Sequence, residues 1–217
     1  MKPIPAAEFA IATPPRRLNR AVVLDFAERA IVLAMATLFF SRMAATVGAG
    51  NLINLLICVS EGMTAVFVLI RRPGQIATTP YAWTIAFVGT CAPLTVAPTG
   101  AQLVPAAASI AAMVAGLCLS IAGKAFLFRS FGIVPANRGI QKGGPYGLVR
   151  HPIYLGYLFA HVGYLVANLS PWNAAVYAIT WGAQILRIRA EEAILSEDEA
   201  YRAYQGETRR RLIPGVW

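Results

Sequence analysis

The sequence predicts an all-α fold: a polytopic bundle of about five or six transmembrane spans, ending in a helical hairpin and an amphipathic tail. Three observations predict it. Hydrophobic residues make up 57% of the 217 and charged residues 13%, against about 25% charged in a soluble domain. The apolar residues fall in blocks of about 20, the length that crosses a hydrocarbon core. The basic residues behind the net charge of +9 sit at block ends and in alternate loops, as the positive-inside rule expects of membrane topology.

The elements follow in order. Residues 1–20 read as a flexible basic arm, with prolines and Glu8 where a cleaved leader would carry an apolar core. Residues 21–128 hold four spans, at about 24–46, 51–70, 81–97 and 103–126. Asp25, Glu28, Arg29 and Arg42 interrupt the first, and Asp25 and Arg29, four apart, can pair on one face. The second stops at Arg71-Arg72-Pro73-Gly74. Pro93 is expected to kink the third. A polar connection with glycines at 132, 139, 143, 144 and 147 leads to two apolar stretches, Pro152–Leu169 and Trp172–Leu186, read as a tight hairpin about Ser170-Pro171. The charged tail from Arg187 is read as a helix against the membrane face. Lys and Arg counts place both termini on the cytoplasmic side, at the plasma (inner) membrane if the source is bacterial.

Several function classes are excluded at this level. The charge distribution argues against nucleic acid. Cys58, Cys91 and Cys118 are scattered through apolar blocks and form neither a disulfide framework nor a metal cluster. Gly48-Ala49-Gly50 is a lone fragment without a dinucleotide-binding context, and no Walker lysine motif, HExxH or GxSxG is present.

The chemistry-bearing residues concentrate in Gly144-Pro145-Tyr146-Gly147-Leu148-Val149-Arg150-His151-Pro152-Ile153-Tyr154 and in Arg187-Ile188-Arg189-Ala190-Glu191-Glu192. Pro152 suits a first helical turn, which puts His151 beside free backbone N–H groups that favour a ligand carboxylate. An interfacial anchor is the alternative role for His151. Tyr154, Tyr157, His161 and Tyr164 share a face that should meet protein or a cavity, and Gly156, Ala160 and Gly163 form a small-residue face for close packing. Arg187 and Glu191, four apart, project from one face, either as a solvated pair or as part of a site. Glu61, mid-span, is expected to be paired or protonated.

Taken together, residues 144–157 (GPYGLVRHPIYLGY), 187–195 (RIRAEEAIL) and 200–215 (AYRAYQGETRRRLIPG) resemble the isoprenylcysteine carboxyl methyltransferase family and, more loosely, integral-membrane phospholipid methyltransferases. The resemblance implies that 129–217 is the catalytic half. It also implies S-adenosyl-L-methionine as cofactor, bound without a Rossmann domain, and no metal. It implies cofactor contacts at Arg138, Gly139, Ile140, Gln141, Tyr146, His151, Pro152, Ile153, Tyr154 and Glu191, with Arg187, Glu191 and His151 as catalytic residues. The implied partners are the membrane and a lipophilic methyl acceptor, either the carboxylate of an isoprenylcysteine-like substrate or a lipid headgroup. The sequence departs from the pattern at Ser196-Glu197-Asp198-Glu199, where many members carry Phe-Gly. Two other readings stay open: an NADPH-dependent membrane reductase of sterol-reductase type, with Arg209-Arg210-Arg211 for the 2′-phosphate, and a non-catalytic membrane interaction protein.

Overall fold

A computed structural model describes residues 20–47 and 52–213. The arm over 1–19, the Gly48-Ala49-Gly50 fragment and the last four residues lie outside the described residues. Seven α-helices are present among those described: α1 (Arg20–Val47), α2 (Leu52–Ile70), α3 (Pro80–Cys91), α4 (Ala106–Leu127), α5 (Pro152–Ala167), α6 (Pro171–Leu195) and α7 (Glu199–Glu207). Two segments, Leu52–Ile70 and Ala106–Ser130, are long and apolar enough to cross a bilayer, and α5 is a shorter apolar helix. The outer surface carries Phe26, Leu38, Leu55, Val66, Phe159, Val162 and Ile179 exposed, an apolar belt that suits lipid rather than water.

The tightest packing joins α4 to α5. A Cβ built on Gly116 would lie 2.5 Å from the backbone of Gly156 and Ala160, and one on Gly163 would lie 2.8 Å from Ser109 O. The small-residue face of α5 therefore has a small-residue partner on α4, and dispersion contacts between close backbones hold the pair.

The expected tight hairpin is not what α5 and α6 form. They are joined at 168–170, with Ser170 capping α6 through Asn173 N. They then diverge: α5 lies along α4 and α6 along α3, with few contacts between them. The small residues of α5 draw it to α4, while the α6 face opposite α3 carries Asn173 and Gln184, each bonded to the α3 side. Buried Asn173 both donates to and accepts from the backbone of Ala97. The space between α5 and α6 is filled in part by rings, with His161 stacked near Tyr157 and 4.8 Å from Tyr177.

Pro93 ends a helix rather than kinking one. α3 stops at Cys91 and a 3₁₀ turn follows over Ala92–Thr95. Proline has no N–H to return to the carbonyl four residues back. That carbonyl, on Gly89, instead accepts from Gln184 Nε2 at 3.0 Å, so the broken ladder becomes an α3–α6 joint. The tail is also corrected. Arg187 to Leu195 continue α6, and the departing Ser196-Glu197-Asp198-Glu199 segment is the turn into α7, with Asp198 capping Ala200 N. Tyr201 and Tyr204 on α7 are buried against Tyr146 and the bundle.

Two short strands, β1 (Gln75–Ile76) and β2 (Ala136–Asn137), pair antiparallel. They tie the segment after α2 to the polar connection. Beside them Glu28 of α1, fully buried, accepts from the N–H groups of Ile133 and Val134 at 2.7 and 3.0 Å and pairs with Arg71 at 2.9 Å. Asp25 pairs with Arg29, as its spacing predicts, and also with Arg71 and Arg138.

Candidate functional site

The elbow before α5 is built by a 3₁₀ turn over Gly144–Gly147. Gly144 adopts φ 57°, and a Cβ there would strike the Phe126 ring, so the turn needs glycine on both counts. The turn buries Tyr146, whose hydroxyl donates to Gly123 O and whose carbonyl accepts from Tyr204 at 2.6 Å. Burial first, and then the Glu191 charge, push the Tyr146 phenol well above its ordinary range. Burial likewise pushes Tyr204 up to about 12. Both remain neutral donors at physiological pH.

Next, Arg150 and His151 meet α6. Arg150 Nε donates to Glu192 Oε1 at 2.7 Å, and His151 Nε2 lies 3.2 Å from the same oxygen. Arg211 Nε donates to Oε2 at 2.6 Å. The backbone N–H groups of Arg150 and His151 bond Arg210 O and Arg211 O, and Arg150 Nη1 holds Thr208 O and Arg209 O. Residues 208–211 are thus strapped over the elbow. Burial alone would raise the Glu192 carboxyl, but hydrogen bonds from His151 and Arg150 and their charge outweigh it and hold the group at about 2.

Its neighbour faces elsewhere. Glu191 accepts from the Tyr154 hydroxyl at 2.5 Å and pairs with Arg187 Nε at 3.3 Å, while His151 Nδ1 stands 3.8 Å from its other oxygen. Arg187 is buried, with its guanidinium 5.3 Å from the Tyr154 ring centre and its Nη atoms directed at Thr90 Oγ1 and Gly132 O.

These side chains open on a cavity of about 720 Å³. The sequence-predicted residues Arg138, Gly139, Ile140, Gln141, Tyr146, His151, Ile153, Tyr154, Arg187 and Glu191 all line it. Pro152 does not; it is buried as the first residue of α5. His151 is the N-cap of α5 and makes no side-chain cap bond, so the first-turn N–H groups keep their capacity for an anion. Glu192 is also absent from the wall: the acidic pair divides, with Glu191 toward the cavity and Glu192 toward the tail.

The cavity continues past the elbow as an apolar limb between α1, α2, α4 and the α5 rings, reaching Arg42 and Leu94. Sequence reasoning did not single out Lys124, which is fully buried beside this limb. Arg150, read from the sequence as the cation of the elbow without an assigned role, holds Glu192 and the strap.

Residues 104–197 match the model of the isoprenylcysteine carboxyl methyltransferase (ICMT) family, which bears out the resemblance drawn from the motifs. The match takes in α4, α5 and α6 and excludes α1–α3 and α7. The matched family is one of methyltransferases. Comparison with curated proteins finds no match, and neither does comparison with solved structures.

Proposed function

We propose, from the membership of residues 104–197 in the isoprenylcysteine carboxyl methyltransferase family, that the chain moves a methyl group from S-adenosyl-L-methionine to a lipophilic, acid-bearing acceptor. The single observation that carries this reading is the meeting of the His151 elbow with Glu191 and Arg187 of α6 on one cavity wall. The donor set fits the cofactor. The uncapped start of α5 suits its carboxylate. Glu191 and the backbone of 138–141 offer acceptors for its ammonium and ribose hydroxyls. Bound there, the cofactor supplies an electrophilic methyl on a sulfonium, transferred by in-line displacement without a covalent enzyme intermediate.

The protein's contribution is positioning. Tyr154 and Arg187 fix Glu191, and Glu192 fixes His151. The Arg187 guanidinium, desolvated on the wall, orients an acceptor carboxylate and screens its charge from Glu191. The apolar limb takes the acceptor's hydrocarbon portion, which enters sideways from the bilayer, while the cofactor enters from the cytoplasmic face. No observation favours the nicotinamide reading: the Arg211 guanidinium is already directed at Glu192.

The test is calorimetry of the purified chain in detergent with S-adenosylhomocysteine, followed by a methyl-transfer assay on acid-bearing and amine-bearing lipids. Saturable binding and transfer to the acids are expected. Absence of binding ends the reading, and transfer only to amines removes the role given to Arg187.

A further inference from the structure

Lys124 sits three residues before the end of α4. A lysine so placed ordinarily extends toward water. Here its side chain is 0% exposed and runs into the bundle, donating to Ser60 O at 3.0 Å, Ser60 Oγ at 2.7 Å and Thr64 Oγ1 at 2.8 Å. An ammonium has three N–H donors, and these three acceptors use them all. Glu61 stands 3.6 Å away and is 39% exposed. The lysine therefore stabilises the carboxylate by charge from behind without occupying its oxygens, each of which keeps acceptor capacity.

Glu61 lines the limb of the cavity, which has Glu191 as its other acid, at the elbow. Nine residues separate Glu61 from the end of α2, about 14 Å along the helix, so the carboxylate lies deep in a largely apolar channel that also carries Arg42 and His161. A charge at such depth costs several kcal/mol unless it is matched by partners. Packing alone gives no reason for a fully donor-saturated lysine to hold a half-open carboxylate against an empty wall.

We propose that Glu61, held by Lys124, is a specificity subsite for the acceptor's chain, which accepts a hydrogen bond from an O–H or N–H group carried part-way along that chain. The inference rests on the reading of the cavity as the acceptor's. It makes the preferred acceptor a functionalised amphiphile rather than a plain hydrocarbon. Tyr157 closes the same spot, with the Lys124 ammonium 5.6 Å from its ring centre, so a donor group at Glu61 is flanked by an aromatic face.

The probes are hexadecanoic acid and its mid-chain hydroxylated and mid-chain aminated counterparts, titrated into the full chain in lipid nanodiscs and followed by intrinsic tryptophan fluorescence. The wild type binds both donor-bearing acids about tenfold or more tighter than the plain acid, the range for a hydrogen bond to a charged group. Glu61→Leu removes both preferences. Glu61→Gln, which keeps a carbonyl acceptor but no charge, retains the preference for the hydroxyl and loses most of that for the amine. Equal affinities in the wild type, binding of none of the three probes, or preferences that persist in Glu61→Leu would overturn the subsite. S-adenosylhomocysteine binding, measured on the same preparations, separates the two readings: if it is retained while the preferences fail, the subsite alone falls.

Discussion

Two charge clusters border the cavity, through Arg150 and His151 in one and Arg138 in the other, and they are built to different standards. At the elbow, Glu192 receives Arg150, His151 and Arg211 at hydrogen-bonding distance on both oxygens. At the foot of α1, Asp25, Glu28, Arg71 and Arg138 are packed as closely. Yet Glu28 Oε2, Arg71 Nε and Arg138 Nε are buried without a hydrogen-bond partner. A satisfied network in a low-dielectric interior rigidifies, whereas a partly satisfied one leaves desolvation uncompensated. The first cluster fixes the elbow. The second positions the polar connection, since Glu28 holds the N–H groups of Ile133 and Val134 while Arg187 rests on Gly132 O and Arg138 lines the cavity.

The largest expected effect is at Glu192. Glu192→Ala strips the partner from buried Arg150 and His151 and from the strap, and a broken buried pair costs about 3–5 kcal/mol. Thermal unfolding in detergent should show a large fall in midpoint. Glu191→Gln should lower the midpoint less, because it keeps an acceptor for Tyr154 and loses only the pairing charge for Arg187, while methyl transfer drops steeply because Glu191 faces the cavity. Equal stability losses at the two positions would erase the division of labour between the acids.

Glu28→Ala comes next. It frees two loop N–H groups and removes one of the two carboxylate partners of Arg71, at about 2–3 kcal/mol. The loss is smaller than at Glu192 because the cluster is already incompletely bonded and Asp25 retains both arginines. The sharper readout is S-adenosylhomocysteine affinity, expected to weaken in Glu28→Ala and to recover in Glu28→Gln, which keeps an acceptor for Ile133 and Val134. A cost above that of Glu192→Ala would invert the comparison.

This contrast also marks how far the sequence could be read. The elbow, the acidic pair, the Asp25–Arg29 pair and the small face of α5 were legible because each depends on spacing within one helix or turn. Which acid faces the cavity was not legible from spacing, and only the family resemblance singled out Glu191. Neighbours on a helix point about 100° apart, and only the docking of α6 on α3 sets the rotation. Lys124 carries the local signature of an interfacial anchor, and its inward turn follows from Ser60 and Thr64 on α2, some 60 residues away. Pro93 announces a disturbed helix, but Gln184, on another element, decides that the disturbance becomes an end. The loop N–H partners of Glu28 lie more than 100 residues downstream, beyond any window that averages hydropathy.

Acid separates the clusters in another way. The folded Glu192 carboxyl sits at about 2 and its ordinary value is 4.5. A depressed carboxyl gives stability that is complete above the unfolded value and is lost as pH falls through the folded one. The midpoint of the wild type minus that of Glu192→Gln should therefore be flat above about pH 5 and shrink between about pH 4.5 and 2. A difference that stays constant through that window would mean that His151 and Arg150 do not hold the carboxylate as their distances imply.

The smallest effect is expected at Arg211. Its side chain is 37% exposed and its bond to Glu192 Oε2 is solvent-screened, so Arg211→Ala should cost no more than about 1 kcal/mol. Glu192 would keep Arg150 and His151, and the carbonyls of 208–211 would keep their bonds from the Arg150 side chain and the elbow backbone, none of which uses the Arg211 side chain. Unfolding midpoint and S-adenosylhomocysteine affinity should both stay near wild type. A loss as large as that of Glu192→Ala would move the centre of the elbow clamp from Arg150 to the tail, and would make α7 and its strap, which lie beyond the family-matched segment, the element that decides whether the elbow forms.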